Sequence, residues 1–301
     1  MQRAQTDAAG PPRIAVAGAT GNAGKEIVRA LADRGALVRA LVRDPARLGP
    51  LAARCAEVVT LEVTREEDVR GALDGVECFV TALGKTWQRD SAPRRAVDVD
   101  ANVRLFQEAR RAGVRRIGMT SVAWADRQSP VAMLRMKGEA EDALRETGVA
   151  HVIIRPSGFF SDMWEVLQMC RRGTFWSFGD AYLNPISPVD LGDFIAEHVL
   201  DASRVGPFEV GGPDAYDIPA LAALCGRVLE REVRVRRVPM WLARAGVAMI
   251  RPFSRNLWEM SDFFIGSSAL THAAGMSALL PKYGTHHLED YLRERLASVG
   301  E

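Results

Sequence analysis

The sequence predicts an α/β protein: a doubly wound parallel sheet carrying a smaller C-terminal lobe. Three observations lead there. From Arg13 to Pro156, short β-branched runs alternate with stretches of helical periodicity, the rhythm of strands joined by crossover helices. Each strand-like run is apolar almost throughout, as a strand covered on both faces must be. Between the first run and the first helical stretch, Gly18, Gly21 and Gly24 recur at every third position, marking a turn tighter than most side chains permit.

Residues 1–12 are polar, end in Gly10-Pro11-Pro12 and lack periodicity, so they read as a disordered tail. A strand at 14–17 is followed by a helix at 23–34, whose Ile27, Val28, Leu31 and Ala32 share one face. Next come a strand at 37–42, a short helix near 45–54 and a strand at 57–61. The pattern continues with helix 66–73, strand 77–82, helix 97–112, strand 116–120, helix 131–147 and strand 151–155. Helical connections between successive strands make the sheet parallel. After Pro156 the rhythm breaks: 157–184 is rich in aromatic residues, 188–201 reads as a helix, 207–210 as a strand and 218–230 as a helix. A strand at 233–238 and helical material at 240–266 and 287–298 complete the chain. The expected division is a nucleotide-binding domain over 13–156 and a substrate-binding lobe over 157–301, with 186–212 returning to the sheet.

The 301 residues hold 39 basic and 38 acidic side chains, a net charge of +1, which speaks against nucleic acid as a partner. Cysteines 55, 78, 170 and 225 form no C-x-x-C pair and have no histidine at zinc-ligand spacing; neither a metal site nor a disulfide framework is expected. No apolar run is long enough to span a membrane and the first residues lack a signal-peptide core, so a cytoplasmic protein is expected. Only four of the basic residues are lysines: Lys25, Lys85, Lys137 and Lys282. In so arginine-biased a chain, runs such as Arg171-Arg172 read as solvated faces, and a retained lysine is the stronger functional signal.

The segment Gly18-Ala19-Thr20-Gly21-Asn22-Ala23-Gly24 closes a strand and opens a helix. Backbone N–H groups at a helix start attract a pyrophosphate, and glycine lets the main chain approach it. Gly18, Thr20, Gly21, Asn22, Ala23 and Gly24 are therefore candidates for binding a dinucleotide in a Rossmann domain. The second strand ends at Val42, and Arg43 stands 19 residues past Gly24, where an acid would hold the ribose of NAD. An arginine there suits the 2′-phosphate of NADP instead, with Arg47 one turn on to assist; NADPH is the expected cofactor and NAD the less favoured one.

The spacing of this loop and the Ala-Thr-Gly inside it resemble the atypical, NmrA-like short-chain dehydrogenase/reductases, related to isoflavone-reductase-like and complex-I-subunit-like proteins. Leu41-Val42-Arg43-Asp44-Pro45, Ala112-Gly113-Val114-Arg115-Arg116, Thr120-Ser121, Ile154-Arg155-Pro156 and Pro188-Val189-Asp190-Leu191 extend the resemblance over about residues 13–230. It implies adenine contacts from Glu62 and Val63 and a stretch under the nicotinamide ribose at Ala82, Leu83, Gly84 and Lys85. Pro156, Ser157 and Gly158 would flank the nicotinamide.

Reductases of this kind commonly pair a tyrosine that gives a proton with a lysine four residues later and a serine about a dozen earlier. Lys137 and Ser121 stand at those positions, but position 133 is Met, which moves no proton. Three readings stay open. Lys137 acts as the acid/base; or it only holds the ribose while the proton comes from solvent or substrate, as suits quinones and conjugated acceptors; or the activity is lost and a regulatory or assembly protein remains. A plainer alternative makes Lys137 a surface ion-pair partner of Glu141, one turn on, and Ser121 a simple cap.

Beyond the carboxyl ends of the strands, Phe159, Phe160, Met163 and Trp164 are expected to line a pocket for a bulky apolar small molecule, with Met133 above it, unless they form the lobe's core. Trp87 and Trp124 are weaker candidates. Asp190 is expected to cap its helix and His286-His287 to lie in a surface turn. The stretch 238–262 reads as an amphipathic lid or partner-binding helix, with a membrane-surface role also open. Oligomerisation is possible.

Overall fold

The computed structural model describes residues 10–84 and 93–300. Lys85, Trp87 and most of the N-terminal tail lie outside them. The central sheet contains β1 (Arg13–Ala17), β2 (Leu37–Val42), β3 (Glu57–Thr60), β4 (Cys78–Thr81), β5 (Arg116–Thr120), β6 (Ala150–Pro156) and β9 (Gly206–Val210), in the order β3-β2-β1-β4-β5-β6-β9. All pairings are parallel. The order reverses between β1 and β4, and the cleft beyond their carboxyl ends is where such sheets take ligands.

The alternation of side chains along a strand sorts this sheet's residues into two cores. Ile14 and Val16 face α1 (Asn22–Asp33) and α6 (Pro188–Leu200), with Ile27, Leu31, Ile195 and Val199. Ala15 and Ala17 face the opposite layer with Phe79, Leu105, Phe106, Ile117 and Leu144, supplied in part by α3 (Asn102–Arg111) and α4 (Ala132–Glu146). Gly192 permits the close crossing of α6 over α1, since a Cβ there would stand 2.6 Å from the carbonyl of Glu26. Arg29 and Arg34 bind Asp193 across the same crossing at 3.1 and 2.9 Å.

After β6 the chain builds α5 (Phe160–Cys170), β7 (Thr174–Ser177) and β8 (Tyr182–Leu183), returns to the sheet as α6 and β9, then leaves again. The second departure forms β10 (Tyr216–Asp217), α7 (Ile218–Val228), β11 (Arg234–Arg237), α8 (Met240–Ile250), α9 (Arg255–Ala274) and α10 (Leu288–Gly300). β11 pairs with β7 in parallel, and β10 with β8 antiparallel. A third core joins α5, α7 and α10 through Phe160, Trp164, Leu167, Leu221, Leu224, Leu288 and Leu292.

Several elements differ from the sequence expectation for identifiable reasons. The helix expected at 66–73 is one turn, α2 (Glu66–Val69), because Gly71 takes φ +80° and its N–H turns to Glu108. The helix expected at 97–112 begins as a π-helical turn, Ala96–Ala101. The stretch 240–266 breaks at 251–254 around Pro252, whose missing N–H and fixed φ disfavour a continuous helix. Asp190 does not cap α6: Ser187 does, accepting from the N–H of Val189. The Asp190 carboxylate instead accepts from the backbone N–H and Nδ1 of His286, at 3.1 and 2.7 Å, and so ties the lead-in to α10 onto the sheet domain.

Gly192→Val is expected to lower the unfolding free energy by about 1–3 kcal/mol through overpacking of the α1–α6 crossing, read as a lower urea midpoint at unchanged slope. An unchanged midpoint would show that the two helices separate at little cost.

Candidate active site

At the sheet's reversal the main chain itself makes the surface. Gly18 sits at φ +78°, and a Cβ on it would lie 2.9 Å from the carbonyl carbon and oxygen of Ala82 beyond β4. Gly24 is tighter: its Cβ would fall 2.0 Å from the Gly18 carbonyl oxygen. Helix α1 starts from Gly21 with no side chain capping its first N–H groups, and Thr20, Asn22 and Ala23 are at least partly exposed there. Donors held by backbone, beside a strand end with no side chains in the way, fit the pyrophosphate of a dinucleotide.

The adenosine end falls at β2 and β3. Arg43, exposed at the end of β2, has its guanidinium 3.9 Å from the carboxylate of Glu62, just past β3. Glu62 is held in place by accepting from the backbone N–H and hydroxyl of Thr64, at 3.1 and 2.9 Å. Val63 is buried beside it in the α3 side of the core. Asp44, the nearest acid to Arg43 along the chain, accepts from the N–H of Ala46 as the cap of the 3₁₀ helix Pro45–Arg54.

The centre of the site is Lys137. Its side chain is largely buried, and Nζ donates to the carbonyl of Leu83 at 2.8 Å and to that of Thr120 at 3.4 Å, bridging the ends of β4 and β5. The carboxylate of Asp98 lies 3.7 Å away, itself buried. Asp98 lies in the π-helical turn, a feature frequent at functional sites. Asn102, one turn on, donates to the Asp98 carbonyl at 3.0 Å and accepts from Thr81 Oγ at 2.7 Å. Thr81 Oγ in turn accepts from the N–H of Leu83 at 3.2 Å. Neither Asp98 nor Asn102 was singled out from sequence. Their spacing of four, in line with the apolar Leu105 and Ala109, was the available signal.

Lys137 and Glu141 do not pair, which removes the surface ion-pair alternative. Glu141 is buried and binds Arg155 at 2.6 Å and Arg145 at 2.8 Å. It also accepts from Ser121 Oγ at 2.6 Å. Lys137 thus reaches the carbonyl of Thr120 while the hydroxyl of its neighbour Ser121 is engaged elsewhere. The bond to Glu141 raises the Arg155 pKa above the ordinary arginine value, against the opposing effect of burial.

Met133 lies one turn before Lys137 on the same face of α4 and packs with Val99, Val103 and Trp258 of α9. Helix α9 also serves the start of α4, where Asp262 accepts from the N–H of Ala132 at 3.2 Å, and Glu259 binds Arg94 at 3.0 Å in a pair almost wholly out of water. In the loop between β5 and α4, Trp124 holds φ +65°, a costly backbone for a bulky residue and one concentrated at functional sites.

On the far side, the hydroxyl of Ser157 donates to the Asn184 carbonyl at 2.6 Å and the carbonyl of Gly158 accepts from Ile186 at 2.9 Å. Pro156 is buried. Phe159 is half-buried against the sheet core. Phe160, Met163 and Trp164 are instead interior residues of the lobe. Phe160 meets Tyr291 at 5.4 Å between ring centres, and Arg295 lies 5.0 Å over the Trp164 ring. The density of aromatic residues after β6 mostly builds the lobe.

This cleft is that of a Rossmann-type reductase with a backbone cradle for a dinucleotide and a buried lysine at its centre. The chain belongs to the NAD(P)H-binding family, whose profile matches residues 18–201, and within it to the NmrA-like, atypical short-chain dehydrogenase/reductases, a family of NAD(P)H-binding oxidoreductases. It is 29% identical to the NAD(P)H azoreductase of Xenophilus azovorans, over 78% of this chain and 80% of that one. It is 25% identical to the photosystem II assembly factor Ycf39 of Synechocystis, over 95% and 91%. The fold also matches the NADPH complex of the Escherichia coli quinone oxidoreductase QOR2, with a TM-score of 0.74, 22% identity and 96% and 100% of the two chains covered.

Asp162, three residues beyond Phe159, is a titratable group missed in the sequence. Burial pushes its carboxyl up to about 6, against a weak opposing bond from the N–H of Phe159. Between the ordinary value of 3.8 and about 6 the native state therefore binds a proton that the unfolded chain does not, and stability falls as pH rises through that window. Asp162→Asn is expected to raise the thermal midpoint at neutral pH by a few degrees and to leave it unchanged near pH 4. An equal effect at both pH values would exclude the buried carboxylate as the cause.

Proposed function

We propose that this chain reduces a bulky, apolar, conjugated acceptor of the quinone or azo class with NADPH. Gly18, Thr20, Gly21, Asn22, Ala23 and Gly24 would hold the pyrophosphate, Arg43 and Arg47 the 2′-phosphate, and Glu62 and Val63 the adenine. Ala82, Leu83, Gly84 and Lys137 would take the nicotinamide ribose, with Pro156, Ser157 and Gly158 beside the ring. The bound dinucleotide supplies a hydride. Everything else falls to the chain's own groups.

The observation that carries the reading is the pairing of Met133 with an anchored Lys137. An ammonium has three donors, and the Leu83 and Thr120 carbonyls take two of Lys137's. A third is left for a ribose hydroxyl or a substrate oxygen, while Asp98 offsets the charge. Met133 gives the same face of α4 an apolar thioether where a proton donor would stand. An isolated ketone needs that proton as its oxygen becomes an alkoxide. A quinone or conjugated acceptor spreads the arriving charge and takes its proton afterwards from water. The azoreductase and quinone oxidoreductase among the similar proteins support this choice of acceptor. The Ycf39 likeness supports the other possibility, a dinucleotide-binding assembly protein, for which the anchored lysine offers no separate reason.

The deciding measurement is NADPH oxidation over a panel of quinones, azo dyes, enones and simple ketones. Turnover is expected with the conjugated acceptors and little with ketones, and Lys137→Ala is expected to lower kcat/KM about a hundredfold. Efficient ketone reduction would overturn the role given to Met133, and tight NADPH binding without any turnover would favour the assembly reading.

Arg43→Asp should weaken NADPH about tenfold to a hundredfold, the worth of one charge-assisted bond, and leave NADH binding nearly unchanged. Calorimetric titration checks this, and equal NADH and NADPH affinities in the unaltered protein would refute it. Glu62→Gln, which removes one carboxylate near Arg43, should shift the preference further toward NADPH.

A further inference from the structure

Helix α8, the turn at 251–254 and the first turn of α9 form a hairpin whose inner face is spent and whose outer face is not. Ala243 and Val247 pack inward with Ile265, Phe178 and Trp258. Outward stand Trp241, 71% exposed, Met249, 73%, and Phe253, 88%, together with Leu242 and Leu257. Monomeric proteins seldom show water so many large apolar side chains on one short segment.

The charge carried by this segment itself is positive. Residues 233–258 contain six arginines and no aspartate or glutamate. Arg234, Arg237 and Arg255 are paired with Glu232, Asp180 and Glu259. Arg251 lies over the ring of Trp258 at 5.1 Å, and Arg236 and Arg244 have no ion-pair partner among the described residues.

A second copy docking face to face on this hairpin would set arginine against arginine. An anionic lipid surface answers both features at once, because its headgroups attract the arginines and its acyl boundary takes the tryptophan, phenylalanine and methionine. No described helix is long and apolar enough to cross a membrane, so the contact is one of lying on the surface. We propose that the α8–α9 hairpin seats this protein on anionic bilayers, with Trp241, Met249 and Phe253 in the interface and Arg236, Arg244 and Arg251 facing phosphate groups. This holds whichever acceptor is reduced.

Sedimentation with phosphatidylcholine vesicles containing phosphatidylglycerol, against pure phosphatidylcholine vesicles, tests it on the full chain. The protein is expected to pellet with the mixed vesicles at low salt, to stay in solution with the neutral ones and to be released by high salt. Arg244→Glu/Arg251→Glu and, separately, Trp241→Ser/Phe253→Ser should each weaken binding about tenfold or more, with the thermal midpoint unchanged because these side chains are exposed. The proposal fails if the protein ignores both kinds of vesicle or if neither double variant alters pelleting. It also fails if light scattering finds a dimer that Trp241→Ser/Phe253→Ser splits while lipid binding is absent, which would assign the face to a second copy.

Discussion

The approach of Gly24 to the carbonyl of Gly18 is the constraint on which this structure turns. Two stretches of backbone come within the space of one methyl group, so α1 can leave the sheet at once and lie flat beneath it. That placement puts Ile27 and Leu31 on the sheet and presents α1 to α6, which needs its own glycine at 192 to come near. A side chain at position 24 would lift the helix start, and the donors at its N-terminus would no longer share a surface with the ends of β1 and β4.

A second dependence runs through polar groups. Lys137 closes the gap between β4 and β5 by binding a carbonyl from each, and Asp98 gives it a counter-charge in a region poor in water. Asn102 and Thr81 then satisfy the groups that the π-helical turn brings inward, so that the network ends on the N–H of Leu83 without leaving the cleft. Buried polar chains of this sort hold one geometry well when fully partnered. The lysine is therefore placed before anything binds.

Much of this could be read from the residues alone. The three glycines, the apolar strands and the spacing of Ser121, Met133 and Lys137 point to the cleft and its central lysine, because each reflects a local demand that few residue types meet. Other features depend on partners distant in sequence. Asp98 falls on the buried face of its helix, but the lysine it faces comes from α4. Glu141 looks like the partner of Lys137, four residues before it, until Arg155 arrives from β6. Asp190 has the position of a helix cap, yet its partner is His286. Phe160, Met163 and Trp164 follow β6 as pocket residues would, but Leu288 and Leu292 of α10 close over them.

That last closure has a consequence for the order in which the molecule can assemble. The core of the lobe needs α5, made directly after β6, and α10, about 120 residues further on. Between them the chain goes back to finish the sheet. A growing polypeptide can complete six adjacent strands from contiguous sequence, but α5 must wait with its apolar face uncovered until α10 is available. The loop-closure entropy of such distant contacts is met only late. Until then α5 offers a sticky surface to chaperones and to other nascent chains, and a proteolytic cut between α7 and α10 would recreate that vulnerable state in the finished protein.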